Sequence, residues 1–118
     1  MRVALFLVIP ALVLVTTARA EEVPFEIDYL LTTVGSSDCV FIRNGKRHSA
    51  ADAEDHLRMK YRRGKRYVDT AEDFIDRLAT GSSWTGRAYS VRCGEHEQTS
   101  AAWLHQALAD RREGVSGS

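Results

Sequence analysis

Two short apolar segments, each carrying one of the chain's two cysteines, constrain the fold more than any other feature. One is Cys39–Gly45, which ends in an Asn-Gly turn signal, and the other is Ala88–Cys93. Their β-branched and aromatic residues favour strands. A disulfide requires Cα atoms within about 7 Å of each other. Cys39 begins its segment and Cys93 ends its own, so only antiparallel pairing brings the two together. We therefore predict an antiparallel two-stranded ribbon.

This pairing places Phe41 opposite Val91 and Arg43 opposite Tyr89, and it closes a loop of 55 residues between the two cysteines, counting both ends. A bridge over a loop of that length stabilises the fold by roughly 4 kcal/mol in the chain-entropy model. A redox-active or metal-binding thiol pair is the alternative, but no Cys-x-x-Cys spacing supports it. The unbroken apolar run after Cys39 also predicts cover on both faces of its strand.

Residues 1–20 have the pattern of a secretory signal peptide. Arg2 precedes an apolar run from Val3 to Val15, and Ala18-Arg-Ala20 supplies the small residues that a signal peptidase needs. We expect cleavage between Ala20 and Glu21 and a periplasmic or secreted protein. The alternative, a transmembrane anchor, is disfavoured because the run is too short to span a bilayer. No second long apolar run follows, so we expect no membrane span in the mature chain.

The charge balance argues against a nucleic-acid-binding protein. Removing Arg2 and Arg19 from 16 basic residues leaves 14 against 16 acidic ones, a formal charge of −2 for residues 21–118. Nucleic-acid-binding domains are usually strongly basic. Any preference for polyanions would require a local patch.

Helical periodicity and capping residues predict four helices around the ribbon, at about 23–34, 50–62, 71–80 and 101–110. Ser49 and Thr70 are predicted N-caps, and Pro24 suits the first helical turn. The fold class is therefore α+β, in the order α-β-α-α-β-α with one disulfide. Residues 21–110 form one domain, and 111–118 a disordered tail.

Five short motifs in a fixed order resemble one protein family. They are Phe41-Ile-Arg-Asn-Gly45, Ala53-x-x-His56-Leu57-x-x-Lys60, Thr70-Ala-Glu-x-Phe-Ile75, Ser82-Ser83-x-x-Gly86-x-x-Tyr89 and Trp103-Leu104. The series, which covers about 27–108, resembles the YfeK-like family of small exported bacterial proteins, domain-of-unknown-function family 5329. The resemblance implies export and one compact α+β domain, and it implies no activity. Relatives tend to have Lys-Pro where this chain has Arg87-Ala88.

Two groups of residues are candidates for catalysis. Asp52 and His56 lie four apart on a predicted helix, with Lys60 four further on, and can form a general base or half a metal site. The alternative is a surface pair, or a histidine hydrogen-bonded under a strand. Ser82 and Ser83 lie in a glycine-bounded loop without the elbow motif of hydrolases, so capping and turn hydrogen bonds are the alternative role.

The four histidines share no spacing typical of zinc ligands, and the sequence predicts no metal and no cofactor. They are His48, His56, His96 and His105.

A basic run at the end of the second predicted helix has two interpretations. Its six cations are Arg58, Lys60, Arg62, Arg63, Lys65 and Arg66. Cations suit a helix C-terminus, and Glu54 can pair with Arg58, so the run can be a solvated face. It can also be a patch for an anionic partner in the cell envelope.

Arg43 also has two roles open to it. Its guanidinium can bind a carboxylate or phosphate, or it can tie the fold internally, over Tyr89 or with an acid such as Glu72. Trp103 is expected to pack in the core or at its rim. Trp84, in a polar loop, is a candidate for an exposed contact.

The sequence thus favours a non-enzymatic binding or interaction module of the cell envelope. The alternative is a small periplasmic hydrolase or other enzyme that uses His56 with Asp52 or a loop serine. The predicted binding surface consists of Arg43, Asn44, Arg62, Arg63, Lys65, Arg66 and Trp84.

Overall fold

The computed structural model of the chain describes residues 3, 4, 6, 8 and 15–116. Half of the predicted signal peptide and the last two residues of the predicted tail therefore lie outside the described residues. The helices are α1 (Val15–Ser36), α2 (Ala50–Gly64), α3 (Ala71–Asp73) and α4 (Ser100–Ser116). A 3₁₀ turn (Lys65–Tyr67) follows α2, and a π-helix (Phe74–Ala79) follows α3. The strands are β1 (Val40–Arg43), β2 (Lys46–His48), β3 (Ser90–Cys93) and β4 (His96–Thr99).

The four strands form one antiparallel sheet in the order β2-β1-β3-β4. Its central pair confirms the predicted ribbon, because Phe41 lies opposite Val91. Cys39 is bonded to Cys93, with Cα atoms 4.6 Å apart, as predicted. The α+β fold class is therefore confirmed.

The sheet differs from the prediction in having two further strands, each joined to a central strand by a hairpin. Asn44 and Gly45 link β1 to β2 with φ angles of 51° and 78°, the left-handed pair that a tight two-residue hairpin turn requires. Gly94, with φ 64°, begins the turn from β3 to β4. Both outer strands are polar and short, which suits exposed sheet edges but removes the apolar pattern that identifies a strand.

The central strand β1 is less covered than its unbroken apolar run predicts. Phe41 is buried, whereas Val40 and Ile42 remain partly exposed. The sheet therefore has one well-buried face, and its other face is only partly covered.

The helix starts at the predicted caps are confirmed. Ser49 Oγ accepts a hydrogen bond from the Asp52 amide at 3.1 Å, and Thr70 Oγ1 accepts one from the Asp73 amide at 3.0 Å. Each bond satisfies an N–H group that the first turn leaves without a helical partner.

Three helix boundaries differ from the prediction. The first helix begins at Val15, so Pro24 lies inside it rather than in its first turn. The third helical segment changes to π geometry at Phe74, a change that the spacing of apolar residues does not signal. The last helix continues to Ser116, through most of the predicted tail, and Arg111 and Arg112 on it form ion pairs with α1 and α3.

One core joins the helices to the sheet. Its most deeply buried large side chains are Phe74, Ile27, Leu30, Leu31, Ile75, Leu104, Val34 and Val91. Gly64 lies where a Cβ atom would come within 2.7 Å of the Leu78 side chain, so the absence of a side chain lets α2 approach the π-helix. Among the described residues, no helix has the length and hydrophobicity needed to cross a membrane.

Candidate functional site

The candidate site is a cavity of ≈ 430 Å³ lined by α2, the end of β1 and the loop after the π-helix. Three cationic side chains line it: Arg43, Lys60 and Arg63. The uncharged polar side chains around them are Asn44, His56, Tyr67, Ser82, Ser83 and Tyr89, and Trp84 lies beside them. No described Asp or Glu lines this cavity. We refer to it as the cationic cleft.

Local structure explains why these side chains meet. His56, Lys60 and Arg63 are spaced four and three apart on α2, which places them along one helix face. Arg43 is the last residue of β1, directly before the hairpin turn. Tyr89 directly precedes β3, the strand paired with β1, so it reaches the same end of the sheet.

Lys60 lies at the floor of the cleft. Its Nζ donates hydrogen bonds to the Gly81 carbonyl at 2.9 Å and to the Tyr89 hydroxyl at 3.1 Å. Burial, together with the nearby positive charge of Arg43, lowers the pKa of the Lys60 ammonium. Burial raises the pKa of the Tyr89 phenol, so the hydroxyl stays protonated in the physiological pH range.

His56 lies beside Lys60 and is half-buried. Its Nε2 is 3.3 Å from the Tyr89 hydroxyl, its one side-chain hydrogen bond to the described residues. Burial lowers the pKa of His56 to about 4, with contributions from Arg43, Lys60 and His48. The imidazole is therefore neutral at pH 7. Asp52 is exposed and makes no hydrogen bond to His56 within the described part of the chain.

Ser82 organises the loop that borders the cleft. Its buried Oγ accepts hydrogen bonds from the Trp84 and Thr85 amides at 3.2 and 3.3 Å, and from Asn44 Nδ2 at 3.3 Å. Thr85 Oγ1 in turn donates to Asn44 Oδ1 at 2.7 Å. Ser82 thus has the turn role that the sequence favours. The described residues show no hydrogen-bonded serine–histidine–carboxylate arrangement around it.

The internal ties considered for Arg43 do not form among the described residues. Glu72 is bonded to Arg112, at 2.8 and 3.1 Å. Arg43 makes no ion pair with any described carboxylate, and its guanidinium lines the cleft.

The six cations of the basic run have different surroundings. Arg58 pairs with Asp28 and Glu54, at 3.1 and 2.8 Å. Lys65 and Arg66 lie over the rings of Tyr61 and Tyr67, at 5.6 and 4.9 Å, and Arg62 is exposed outside the cleft. The structure therefore brings together four members of the predicted surface, which are Arg43, Asn44, Arg63 and Trp84.

The aromatic residues of the site divide between exposed and packed positions. Trp84 is 97% exposed, whereas Trp103 packs edge-on against Phe41 with ring centroids 5.7 Å apart. Tyr67 and Tyr89 were not among the predicted site residues. The helical spacing of His56 and Lys60 was visible in the sequence, but their meeting with Tyr89 depends on the sheet.

No cluster of three or more metal-ligating side chains exists among the described residues. His105 of α4 lies 2.7 Å from Asp76 of the π-helix, measured between His105 Nε2 and Asp76 Oδ1. His48 Nε2 is buried and has no hydrogen-bond partner in the described part of the structure.

Comparison with known proteins gives a family and a relative. The chain is 37% identical over 87 residues to "Uncharacterized protein YfeK" of Salmonella typhimurium, an alignment that covers 74% of this chain and 70% of the relative. No solved structure matches the chain. Residues 21–112 match the family of unknown function DUF5329. The chain belongs to the DUF5329 family.

Proposed function

We propose that the protein is an exported binding module that holds an anionic ligand in the cationic cleft. One observation carries this proposal: Arg43, Lys60 and Arg63 line a cavity that no described acidic side chain lines. Like charges gathered in a partly buried site repel one another, and a bound anion relieves that repulsion.

The hydrogen-bonding groups of the cleft suit a carboxylate or phosphate group. The Arg43 guanidinium offers parallel N–H donors that match the oxygens of either group. Lys60 and Arg63 add positive charge, and the Ser83 hydroxyl and neutral His56 add polar contacts. No carboxylate competes for these donors within the described cleft.

Two observations support export. The family match begins at residue 21, the first residue after the predicted cleavage position. The Cys39–Cys93 bond is typical of oxidising compartments outside the cytoplasm.

Tryptophan fluorescence can test anion binding directly. Trp84 lies beside the cleft, so Trp103→Phe leaves it as the reporter in a chain with two tryptophans. We expect inorganic phosphate and acetate each to give a saturable change in its fluorescence. Loss of Arg43 or Arg63 charge should weaken binding by about tenfold, as expected for one charge-assisted hydrogen bond.

The neighbouring residues Arg62 and Arg63 provide a matched control. Both are exposed on α2, but only Arg63 lines the cleft. Arg63→Gln should weaken binding, and Arg62→Gln should leave it unchanged. Equal affinities in these two variants, or no saturable response in the parent protein, would overturn the proposal.

Export can be tested on the protein recovered from cells. The mass of the mature form should correspond to a chain that starts at Glu21 and contains the intact disulfide. Recovery of an uncleaved chain from the cytoplasmic fraction would contradict this part of the proposal.

A further inference from the structure

A second cavity, of ≈ 260 Å³, lies against the cationic cleft and has a different character. Its lining is predominantly apolar, contributed by β1, α2, the π-helix and α4. The apolar side chains are Phe41, Ile42, Ala53, Leu57, Ala79 and Leu104. We refer to it as the apolar cavity.

The two cavities share three side chains: Arg43, His56 and Tyr89. Each of these side chains therefore borders positively charged space on one side and apolar space on the other. The phenol of Tyr89 accepts from Lys60 on the cleft side, so the polar groups at this boundary are held in place.

From this adjacency we propose that the ligand is an amphiphilic anion, with its charged group in the cationic cleft and an alkyl or aromatic group in the apolar cavity. The proposal rests on the proposed function and specifies its ligand class. Asp52 lines the apolar cavity and not the cleft, so its charge disfavours an anionic group at that end. The orientation of the ligand follows from this asymmetry.

The size of the apolar cavity limits the apolar group. At about 30 Å³ for each water-sized group, its volume accommodates roughly eight or nine non-hydrogen atoms. An apolar group of this size gains affinity from each buried methylene, by up to about fourfold. Chains longer than the cavity gain little more, because their ends remain in water.

A chain-length series of linear carboxylates, from acetate to dodecanoate below their micelle-forming concentrations, tests the proposal by calorimetry on the wild-type protein. We expect affinity to rise with each added methylene and to level off at roughly eight or nine chain carbons. Alkyl phosphates of the same lengths should follow the same trend and distinguish the two headgroup chemistries. Alcohols of the same lengths should bind at least tenfold more weakly.

Two alanines of α2 provide a matched pair of variants. Ala53 lines the apolar cavity, whereas Ala51 is exposed outside it. Ala53→Leu should lower the affinity for octanoate at least fivefold and leave that for acetate unchanged. Ala51→Leu should change neither. If Ala53→Leu does not fold, the wild-type series still decides the question.

The outcomes separate this inference from the proposed function. Equal affinities for acetate and octanoate, both reduced by Arg63→Gln, would overturn the amphiphile inference and leave anion binding intact. Octanoate and octanol binding equally well, with no effect of Arg63→Gln, would overturn anion binding in the cleft. An affinity that rises with chain length in the wild type, but not in Ala53→Leu, supports both the amphiphile inference and the proposed function.

Discussion

Two groups of cations in this molecule have opposite surroundings. Arg112 on α4 binds Glu26 of α1 at 2.8 and 3.1 Å and Glu72 of α3 at 2.8 and 3.1 Å. We call this set the arginine–glutamate cluster. In the cationic cleft, Arg43, Lys60 and Arg63 line a cavity that no described carboxylate lines. Positive charge is neutralised where it joins helices and left unneutralised where it faces a cavity.

The electrostatics of the two regions differ accordingly. Hydrogen bonding to Arg112 lowers the pKa of Glu72, and hydrogen bonds to Glu26 and then Glu72 raise the pKa of Arg112, so paired groups stabilise each other's charged forms. In the cleft, burial and then the nearby positive charge of Arg43 lower the pKa of both Lys60 and His56. We therefore expect the first region to stabilise the fold directly, and the second to contribute stability when the proposed anion binds.

Loss of Arg112 should have the largest effect on folding. Arg112→Met removes the closer ion-pair partner of Glu26, which is only 8% exposed, and leaves its buried charge with the longer 3.9 Å pair to Arg111. Arg112 itself is 46% exposed, so we expect the free energy of unfolding to fall by about 2 kcal/mol rather than by the larger loss of a fully buried pair. Urea denaturation measures this, with Arg62→Met as the control. An equal loss in the control would remove the distinction between the two regions.

Arg43→Gln should leave folding stability nearly unchanged and weaken anion binding. Because Arg43 makes no described ion pair, the free energy of unfolding should change by less than about 0.5 kcal/mol, while affinity for acetate falls about tenfold. Paired denaturation and binding measurements on one preparation are sufficient. A stability loss as large as that of Arg112→Met would assign Arg43 to the fold rather than to the site.

Acid should destabilise the protein through His56. Its pKa is about 4 in the folded state, against an ordinary value of 6.5. As pH falls through this window the unfolded chain takes up a proton that the folded chain does not, so the free energy of unfolding falls. Above the window the ring is neutral in both states and contributes no pH dependence.

Because His56 is only half-buried, the expected loss across this window is about 1 kcal/mol. Denaturation at several pH values should therefore show a shallower dependence in His56→Gln than in the wild type. In Arg112→Met, the part of the pH dependence of stability that comes from His56 should be the same as in the wild type. The same pH dependence in His56→Gln would show that the ring is not the group responsible.

The smallest expected effect concerns His48, which borders the apolar cavity. Its buried Nε2 has no described hydrogen-bond partner, and an unsatisfied polar atom of this kind costs free energy. His48→Phe keeps a planar ring and removes that atom, so melting should show a gain of about 0.5 kcal/mol. A loss instead would indicate that the nitrogen is satisfied in solution.

The sequence predicted those parts of the fold that local rules determine. The caps at Ser49 and Thr70 and the pairing of Phe41 with Val91 follow from capping chemistry and from disulfide geometry. The outer strands could not be predicted from an apolar pattern, because edge strands such as Lys46–His48 are polar. The Asn44–Gly45 turn was the one signal for this hairpin.

The site was predictable only in part. Sequence singled out Arg43 and Arg63, but it grouped Arg63 with Lys65 and Arg66 because they are close in the chain. The fold separates them, since Lys65 and Arg66 lie over the rings of Tyr61 and Tyr67 and do not line the cleft. Tyr89 reaches the site through the predicted pairing of β1 with β3, but its contacts with His56 and Lys60 of α2 are tertiary contacts that residue spacing does not reveal.

The most direct test of the central claim is an NMR titration of the His56 ring protons, assigned by comparison with His56→Gln. In the free protein we expect a pKa of about 4, because of burial and the unneutralised charges of Arg43 and Lys60. The pKa should rise in Arg43→Gln, and it should rise when inorganic phosphate, which keeps a negative charge at this pH, saturates the wild type. A His56 pKa near 6.5 that neither Arg43→Gln nor the anion changes would contradict the account.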